Sequence, residues 1–264
     1  MRFGIIGMGR IGSSLYFSLR DTEFTFSGYY SRVPMKEIGE SFYREIKDID
    51  ADIYFFTLPD RIINLFSEMI EKKDRYFVHC SGYFPSDILG KSRVLSLHPM
   101  FSVNKKFTSL KGISWAIEGD EEGISLGKRI VNAINGKYYI LRKEDKPLYH
   151  IACVIGTNLV NTLLYYSSEI LKNLRIDEKE ILRLASSVIE NSKDSGILNA
   201  LTGPIERGDY ETIENELIAL KKNYPHLFYS LIHIIPLNAQ MGIMKGRDEK
   251  EIIDFINRLS SLRG

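Results

Sequence analysis

The chain has 264 residues, 44% hydrophobic and 26% charged, which is enough to bury an ordinary core in one large or two ordinary domains. Its formal net charge is +1, from 35 basic and 34 acidic side chains, so no basic excess favours binding to nucleic acid. Neither a signal peptide, a membrane span nor a metal site is expected. The two cysteines, Cys80 and Cys153, lie far apart and fit a reducing cytoplasm.

In the first half of the chain, short apolar and aromatic runs alternate with amphipathic stretches. The runs predict seven strands: "RFGIIG", "FTFSGYYS", "DIYFFTL", "RYFVHCSG", "RVLSLH", "GISWAIEG" and "KYYIL". Residues 60–72 and 121–135 predict helices between them. This alternation predicts an α/β fold with a doubly wound, mostly parallel sheet covered on both faces.

Around residue 143 the pattern changes to helical periodicity. Predicted helices cover residues 147–173, 177–193, 209–222, 225–244 and 248–262. Pro236 is expected to kink or split the fourth of these. We therefore predict an α/β domain over residues 1–143 and an all-α domain over residues 144–264.

A glycine-rich loop follows the first predicted strand and opens a helix, in the pattern Gly7-x-Gly9-x-x-Gly12. In a dinucleotide site the first glycine permits a tight turn, the second lets the backbone approach a pyrophosphate, and the third lets helix and strand pack closely. The free N–H groups of the helix then face the phosphates. The predicted loop contacts are Gly7, Met8, Gly9, Arg10, Ile11 and Gly12.

The end of the second predicted strand indicates which dinucleotide is bound. A site for NAD usually carries Asp or Glu there, about 20 residues after the glycines. This strand instead ends in Ser31 and Arg32, a hydroxyl and a guanidinium that suit a 2′-phosphate. The sequence thus favours NADP(H), with Lys36 as either a further ligand or a surface residue.

Three more strand ends carry candidate residues, because ligands of open α/β sheets bind outside the carboxyl ends of the strands. His98 is a candidate donor to a substrate oxygen, whereas His79 is expected to be structural. Asp60 is expected to cap a helix. The remaining predicted cofactor contacts are Thr57, Leu58, Pro59, Ser81 and Gly82.

The first helix after the boundary is apolar with a polar minority. At 100° per residue, Lys146, His150, Thr157 and Asn161 share one face within about 60°, and Asn158 lies roughly 80° from His150. Such groups line either a wet interdomain cleft that holds a substrate or a set of hydrogen bonds between helices. Further along, Asp209 is expected to cap the helix that begins at residue 210, and Arg207 is free to bind a carboxylate or a partner subunit.

Three phrases, "SLHPMF", "YHIACVIGTN" and "LTGPIERGD", resemble a family of Rossmann-like proteins with a C-terminal helical domain of unknown function. That family is similar to the superfamily of 6-phosphogluconate dehydrogenase, β-hydroxyacid dehydrogenases, ketopantoate reductase and pyrroline-5-carboxylate reductase. The β-hydroxyacid dehydrogenases carry Lys, with Asn four residues on, in the helix after the Rossmann domain. Here that helix has His150, with Asn158 eight residues on and Lys146 one turn earlier.

The resemblance implies an NADP(H)-dependent, ketopantoate-reductase-like oxidoreductase, cytoplasmic and homodimeric, acting on a small oxo or hydroxy acid. His150 or Lys146 would donate the proton. Asn158 would hold the substrate or the nicotinamide, and Arg207 or His98 would bind the carboxylate, with Thr157 and Asn161 as further substrate contacts. The alternatives are a non-catalytic NADP(H) sensor and a related enzyme that uses NAD or a reduced deazaflavin.

Overall fold

The computed structural model describes residues 1–39, 41–72 and 74–262. In these residues one sheet contains the strands β1 (Arg2–Ile6), β2 (Thr25–Tyr30), β3 (Phe42–Tyr43), β4 (Ile53–Phe56), β5 (Tyr76–His79), β6 (Val94–Pro99), β7 (Ser114–Gly119) and β8 (Lys137–Ile140). Their order across the sheet is β3-β2-β1-β4-β5-β6-β7-β8. All neighbours pair in parallel except β6 and β7, which confirms the predicted doubly wound, mostly parallel sheet.

The helices follow the expected alternation and then fill the C-terminal part. They are α1 (Arg10–Leu19), α2 (Ile63–Glu68), α3 (Glu121–Ala133), α4 (Lys146–Val154), α5 (Val160–Asn173), α6 (Lys179–Ser195), α7 (Pro204–Arg207), α8 (Tyr210–Asn223), α9 (Pro225–Met244) and α10 (Glu249–Leu262). The change from strands to helices after β8 confirms the predicted α/β domain followed by helices.

The central strands are apolar along their whole length because both faces of the sheet are covered. All four residues of β4 are buried. Ile53 and Phe55 belong to one apolar cluster, and Tyr54 and Phe56 belong to another. Since successive side chains of a strand point to opposite faces, each cluster fills one side of the sheet.

Some local features differ from the sequence predictions. The two-residue strand β3 was not predicted, because so short a segment carries no periodicity. The helix predicted to span 147–173 contains a π-helical turn at residues 155–159. Pro236 was expected to kink or split this helix, and it does not split it: α9 continues through that residue, between Ile232 and Ala239, which are fully buried.

The chain forms two compact units, Met1–Asn158 and Leu159–Gly264. The first contains the whole sheet together with α1 to α4, and the division falls within the π-helical turn. It therefore lies later than the predicted boundary at residue 143, which stands beside the end of β8. In the second unit, α8, α9 and α10 pack around a core that includes Tyr210, Phe228 and Phe255.

Two helical segments are long and apolar enough to cross a membrane by length and composition alone, residues 143–173 and Pro225–Met244. The core helix of a globular protein passes the same test, and 28% of the apolar window in Pro225–Met244 is buried. The window in residues 143–173 is 0% buried. The expectation that the chain has no membrane span stays a prediction.

Candidate functional site

The turn between β1 and α1 needs glycine at two positions. Gly7 has a φ of +102°, in the region that favours glycine. At Gly12 a Cβ atom would lie 2.2 Å from the Gly7 carbonyl oxygen and 2.6 Å from the Thr57 Oγ1 atom. The Thr57 hydroxyl donates to that same carbonyl, so β4 holds the turn in place. A tight turn at Gly7 and close packing of helix against strand at Gly12 are the roles that the sequence predicted for these two glycines.

The N-terminus of α1 is open to a ligand. Gly9 is the residue that precedes the helix, and a Cβ atom there would meet no described protein atom within 4 Å. The first turn of α1 contains no acidic residue, so its N–H groups face no carboxylate of their own turn. Met8 is buried and Ile11 packs against the core, whereas Arg10 is exposed. At Met8 and Ile11 it is therefore the backbone, and not the side chain, that is available to a ligand at this helix end.

Basic residues follow the carboxyl ends of both β2 and β3. Tyr30 pairs with Tyr43, so the next residues, Ser31 and Arg44, are neighbours at the edge of the sheet. Arg32 and Arg44 are exposed, and among the described residues neither forms an ion pair. Lys36 lies nearby in sequence and is also exposed. Arg44 was missed by the sequence analysis, because only the register of β3 shows where it lies.

The end of β4 supports the loops beside it. The Leu58 side chain lies 2.9 Å from where a Cβ atom of Gly7 would be, and Pro59 is exposed. Asp60 does not cap a helix, because it is itself the first residue of a 3-10 helix, which has no side-chain cap. Its carboxylate instead accepts a hydrogen bond from the Ser81 hydroxyl at 2.8 Å. The prediction that Asp60 is a helix cap is therefore wrong.

Ser81, after β5, uses all its polar atoms within the protein. Its amide donates to Nδ1 of His79 at 3.1 Å, and its hydroxyl donates to Asp60 and accepts from the amides of Tyr83 and Phe84. Burial lowers the pKa of His79 to about 3, and this ring also bonds the Pro85 carbonyl. His79 is thus a structural histidine, as predicted, and Ser81 supports the loop that follows.

Two imidazole rings meet at the backbone of the next residue, Gly82. A Cβ atom on Gly82 would lie 2.9 Å from Nε2 of His98 and 2.6 Å from Cδ2 of His150. His98 comes from the end of β6 and His150 from α4, and their ring centroids are 6.3 Å apart. The exposed ring of Tyr83 lies against His150. Glycine at position 82 leaves space where both rings approach the chain.

Tyr149 is hydrogen-bonded to His98. Its hydroxyl oxygen is 2.7 Å from Nδ1 of His98. Burial, followed by the positive charge of Lys146, lowers the pKa of His98 to about 4, and burial raises the pKa of Tyr149. Both groups are therefore neutral near pH 7, and in the tautomer with its proton on Nε2 His98 accepts from the tyrosine hydroxyl and presents Nε2–H towards Gly82. Tyr149 was not predicted from the sequence, since a tyrosine in an apolar helix has no distinctive pattern.

The first residue of α4, Lys146, is 1% exposed. Its Nζ donates to the carbonyl of Ser81 at 2.8 Å and to the hydroxyl of Ser96 on β6. Burial lowers the pKa of its ammonium group to about 8. The Lys146 ammonium group is thus enclosed by Ser81 and Ser96. His150, four residues on, is half-buried and approaches the backbone of Gly82.

A π-helical turn interrupts the helix that carries the remaining polar candidates. It spans residues 155–159, so the spacing of 100° per residue does not hold through it. Thr157 is exposed and donates to the carbonyl of Cys153, and Asn158 bonds Thr157. Asn161 is also exposed, whereas Lys146 is buried. The shared face of Lys146, His150, Thr157 and Asn161 stays a prediction.

Arg207 and Asp209 flank a turn in the second unit. Arg207 ends α7 and is exposed, and among the described residues it forms no ion pair. Asp209 caps α8 by accepting from the amide and the hydroxyl of Thr212, as predicted. The described ranges contain no group of three or more His, Cys, Asp or Glu side chains placed to hold a metal ion.

The fold and this arrangement define a class of protein: a Rossmann-type domain followed by a helical unit. Residues 113–233 match the model of a family described as Domain of unknown function (DUF2520). That range includes "YHIACVIGTN" and "LTGPIERGD". The match confirms the resemblance inferred from those phrases. A comparison with curated proteins gives no match.

Solved structures similar to this chain cover nearly its whole length. Protein TM1727 from Thermotoga maritima is 29% identical, with a TM-score of 0.76 over 93% of this chain and 100% of that one. A putative NADP oxidoreductase, BF3122 from Bacteroides fragilis, is 22% identical, with a TM-score of 0.72 over 87% and 95% of the two chains. Pyrroline carboxylate reductase from Plasmodium falciparum, solved with NADP bound, is 14% identical, with a TM-score of 0.62 over 92% and 98%. These likenesses confirm the fold.

Proposed function

We propose that the protein is an NADP(H)-dependent oxidoreductase that interconverts a small oxo acid and the corresponding hydroxy acid, in the manner of ketopantoate reductase. The observation that carries this proposal is the approach of His98 Nε2 and His150 to the backbone of Gly82. This point lies at the carboxyl ends of β5 and β6, on the edge of the sheet where the glycine-rich turn lies. A neutral donor and a second imidazole at that edge suit reduction of a carbonyl group.

The cofactor proposal rests on the residues around the first two strand ends. The open N-terminus of α1 suits the pyrophosphate, since a ligand can approach Gly9 without meeting a side chain. Ser31, Arg32 and Arg44 suit the 2′-phosphate of NADP(H), because guanidinium groups bind phosphate in a bidentate manner. Two of the similar structures are of proteins described with NADP, which is consistent with this choice.

In this proposal the nicotinamide, when bound, supplies the hydride to the carbonyl carbon or takes it back. The protein's own groups act on the oxygen. Nε2–H of His98 donates a hydrogen bond to the carbonyl oxygen, and Tyr149 keeps that proton on Nε2. His150 gives the proton that the oxygen acquires as the hydroxy acid forms. The roles inferred from the sequence for Arg207, at the substrate carboxylate, and for Thr157, Asn158 and Asn161, as further substrate contacts, stay predictions.

The test is oxidation of NADPH by the purified protein with a panel of small 2-oxo acids, followed by loss of NADPH absorbance. We expect turnover with at least one of them, and a fall in kcat of at least about tenfold in His150→Ala. His226→Ala is the matched control, because His226 is exposed on α9 in the second unit.

Unchanged turnover in His150→Ala would exclude His150 as the proton donor. Tight binding of NADPH without turnover of any acid in the panel would instead favour a non-catalytic sensor. Turnover with NADH or a reduced deazaflavin alone would reject NADPH and keep the fold and the reaction class.

We also propose that the protein is a homodimer in the cytoplasm. Large apolar side chains are exposed along α5 and α6, and in these helices only Ser168 is buried. Exposed apolar surface on this scale is typical of an interface, and a second copy of the chain is the partner that is always present. Cys80 and Cys153 are both free thiols, which is consistent with a reducing compartment.

A further inference from the structure

Lys146 joins three parts of the candidate site. It is the first residue of α4, the helix that carries Tyr149 and His150. Its Nζ donates to Ser81, which precedes Gly82, and to Ser96, which lies two residues before His98 on β6. The Ser96 hydroxyl in turn donates to the Ser81 carbonyl at 3.2 Å. The Lys146 side chain therefore connects, by hydrogen bonds, the helix that carries His150, the strand that carries His98 and the segment that leads to Gly82.

The surroundings of Lys146 argue against a direct role in proton transfer. The residue is 1% exposed, and two of the three donors of its ammonium group point at Ser81 and Ser96. The atom that faces the space at Gly82 is Nε2 of His98, not Nζ of Lys146. A group enclosed in this way acts on the reaction through its neighbours.

The charge of Lys146 also acts on the ring of His98. After burial, the ammonium group is the largest cause that lowers the pKa of His98. His150, on the same helix as Lys146, also lowers the pKa of His98. Further ionisable groups act on Lys146 or are affected by it. Those that favour its charged form are Glu118 on β7, Cys80 after β5 and Asp60 after β4, and the histidines on which it acts are His79 and His98.

We propose that Lys146 is the positioning residue of this site: it fixes the Ser81 carbonyl and β6 so that both imidazoles meet at Gly82. This rests on the proposed function, whose reaction uses these two rings. The ammonium charge beside His98 provides a readout of this arrangement, because its loss raises the pKa of the ring.

The experiment compares Lys146→Met with Lys143→Met. Lys143 lies three residues earlier and is exposed, so it controls for loss of a lysine beside the site. The titration midpoint of His98 is measured by NMR in each protein, with the signal assigned by its loss in His98→Gln. We expect a midpoint near 4 in the wild type and in Lys143→Met, and a rise of at least about half a unit in Lys146→Met.

This readout needs no turnover, so it separates the positioning role from the proposed function. Where the protein is active, kcat in Lys146→Met should fall about tenfold while KM for NADPH changes less than about twofold. Lys146→Arg keeps the charge and should keep the midpoint of His98. An unchanged midpoint in a folded Lys146→Met, or an equal rise in Lys143→Met, would overturn the proposal.

Lys146→Gln serves if Lys146→Met does not fold, because its amide is neutral and can still donate to the Ser81 carbonyl. It is expected to raise the midpoint of His98 in the same way. If neither neutral variant folds, the residue is needed for folding itself, and the proposal is rejected.

Discussion

The first unit buries polar side chains around the candidate site, whereas α5 and α6 of the second unit bury almost nothing, although large apolar side chains such as Leu148 are exposed in the first unit as well. Around the candidate site, Lys146, His79 and Ser96 are almost fully buried, and each is hydrogen-bonded within the same unit. Along α6, in contrast, Leu184 and Val188 are 61% and 48% exposed. A buried polar group is stable only when its partners are present, and these partners come from one chain.

The polar groups of the candidate site pair within the first unit: the glycine turn is held by Thr57, and His79 and His98 are hydrogen-bonded to residues of the same unit. In the second unit α8, α9 and α10 form a core, but α5 and α6 do not bury their apolar side chains. If the proposed homodimer and the proposed nucleotide site both form, oligomerisation depends on the second unit and nucleotide binding on the first.

The largest effect is expected from charges on the exposed face of α6. Leu184 and Val188 are four residues apart and so share one face of the helix. If that face is buried between two copies, Leu184→Glu with Val188→Glu removes about 3 to 6 kcal/mol of apolar burial. The dissociation constant of the dimer should rise at least about 100-fold. Sedimentation or light scattering measures the change in mass.

Ile218→Glu with Ile253→Glu is the matched control, because these residues are also exposed and apolar but lie on α8 and α10. The control should stay dimeric. A wild-type protein that is monomeric at all concentrations would contradict the proposed dimer, and a monomer that binds lipid vesicles through residues 143–173 would replace it with a membrane contact.

A smaller effect is expected from closing the space at Gly12. In Gly12→Ala the new Cβ atom would approach the Gly7 carbonyl and the Thr57 hydroxyl, so one of them must move. We expect the free energy of unfolding to fall by about 1 to 3 kcal/mol. The dissociation constant for NADPH should rise at least about tenfold. Thermal unfolding and fluorescence titration give the two values.

Gly9→Ala separates the two effects, because a Cβ atom there meets no described protein atom. Its unfolding free energy should change by less than about 1 kcal/mol, while NADPH binding still weakens if a pyrophosphate approaches that position. Neither variant should change the mass of the dimer. Full NADPH affinity in Gly9→Ala would show that no ligand lies close to this residue.

The sequence predicted the fold well because its signals are local. A strand such as β4 is a continuous apolar run, and a helix such as α3 has a regular apolar stripe after Asp120, which caps it. The prediction failed where spacing is irregular. The π-helical turn at residues 155–159 changes the phase of a helix without any change in composition, and Pro236 remains helical because the packing around it outweighs the cost of one lost hydrogen bond.

The candidate site was predicted only in part, because local patterns reveal its motifs but not the contacts between residues far apart in the sequence. The glycine turn, His98 and His150 were each singled out from motifs at strand ends and in one helix, but the approach of the two rings was not predicted. The hydrogen bond between Tyr149 and His98 joins residues 51 positions apart and depends on the angle between β6 and α4. The partners of Lys146 are 65 and 50 positions away. Contacts at such separations leave no periodic trace in a single sequence.

The smallest expected effect concerns Arg44. Its place beside Ser31 follows only from the register of β2 and β3. If it binds the 2′-phosphate beside Arg32, Arg44→Ala should raise the dissociation constant for NADPH about tenfold, which is about 1.4 kcal/mol. Binding of NADH should change less than about twofold, because NADH has no group at that position. Arg20→Ala is the control, since Arg20 is exposed after the last turn of α1 and pairs with Asp21. Equal losses for both nucleotides in Arg44→Ala would assign Arg44 to the stability of the edge strand, and the choice of NADPH would then depend on Ser31 and Arg32 alone.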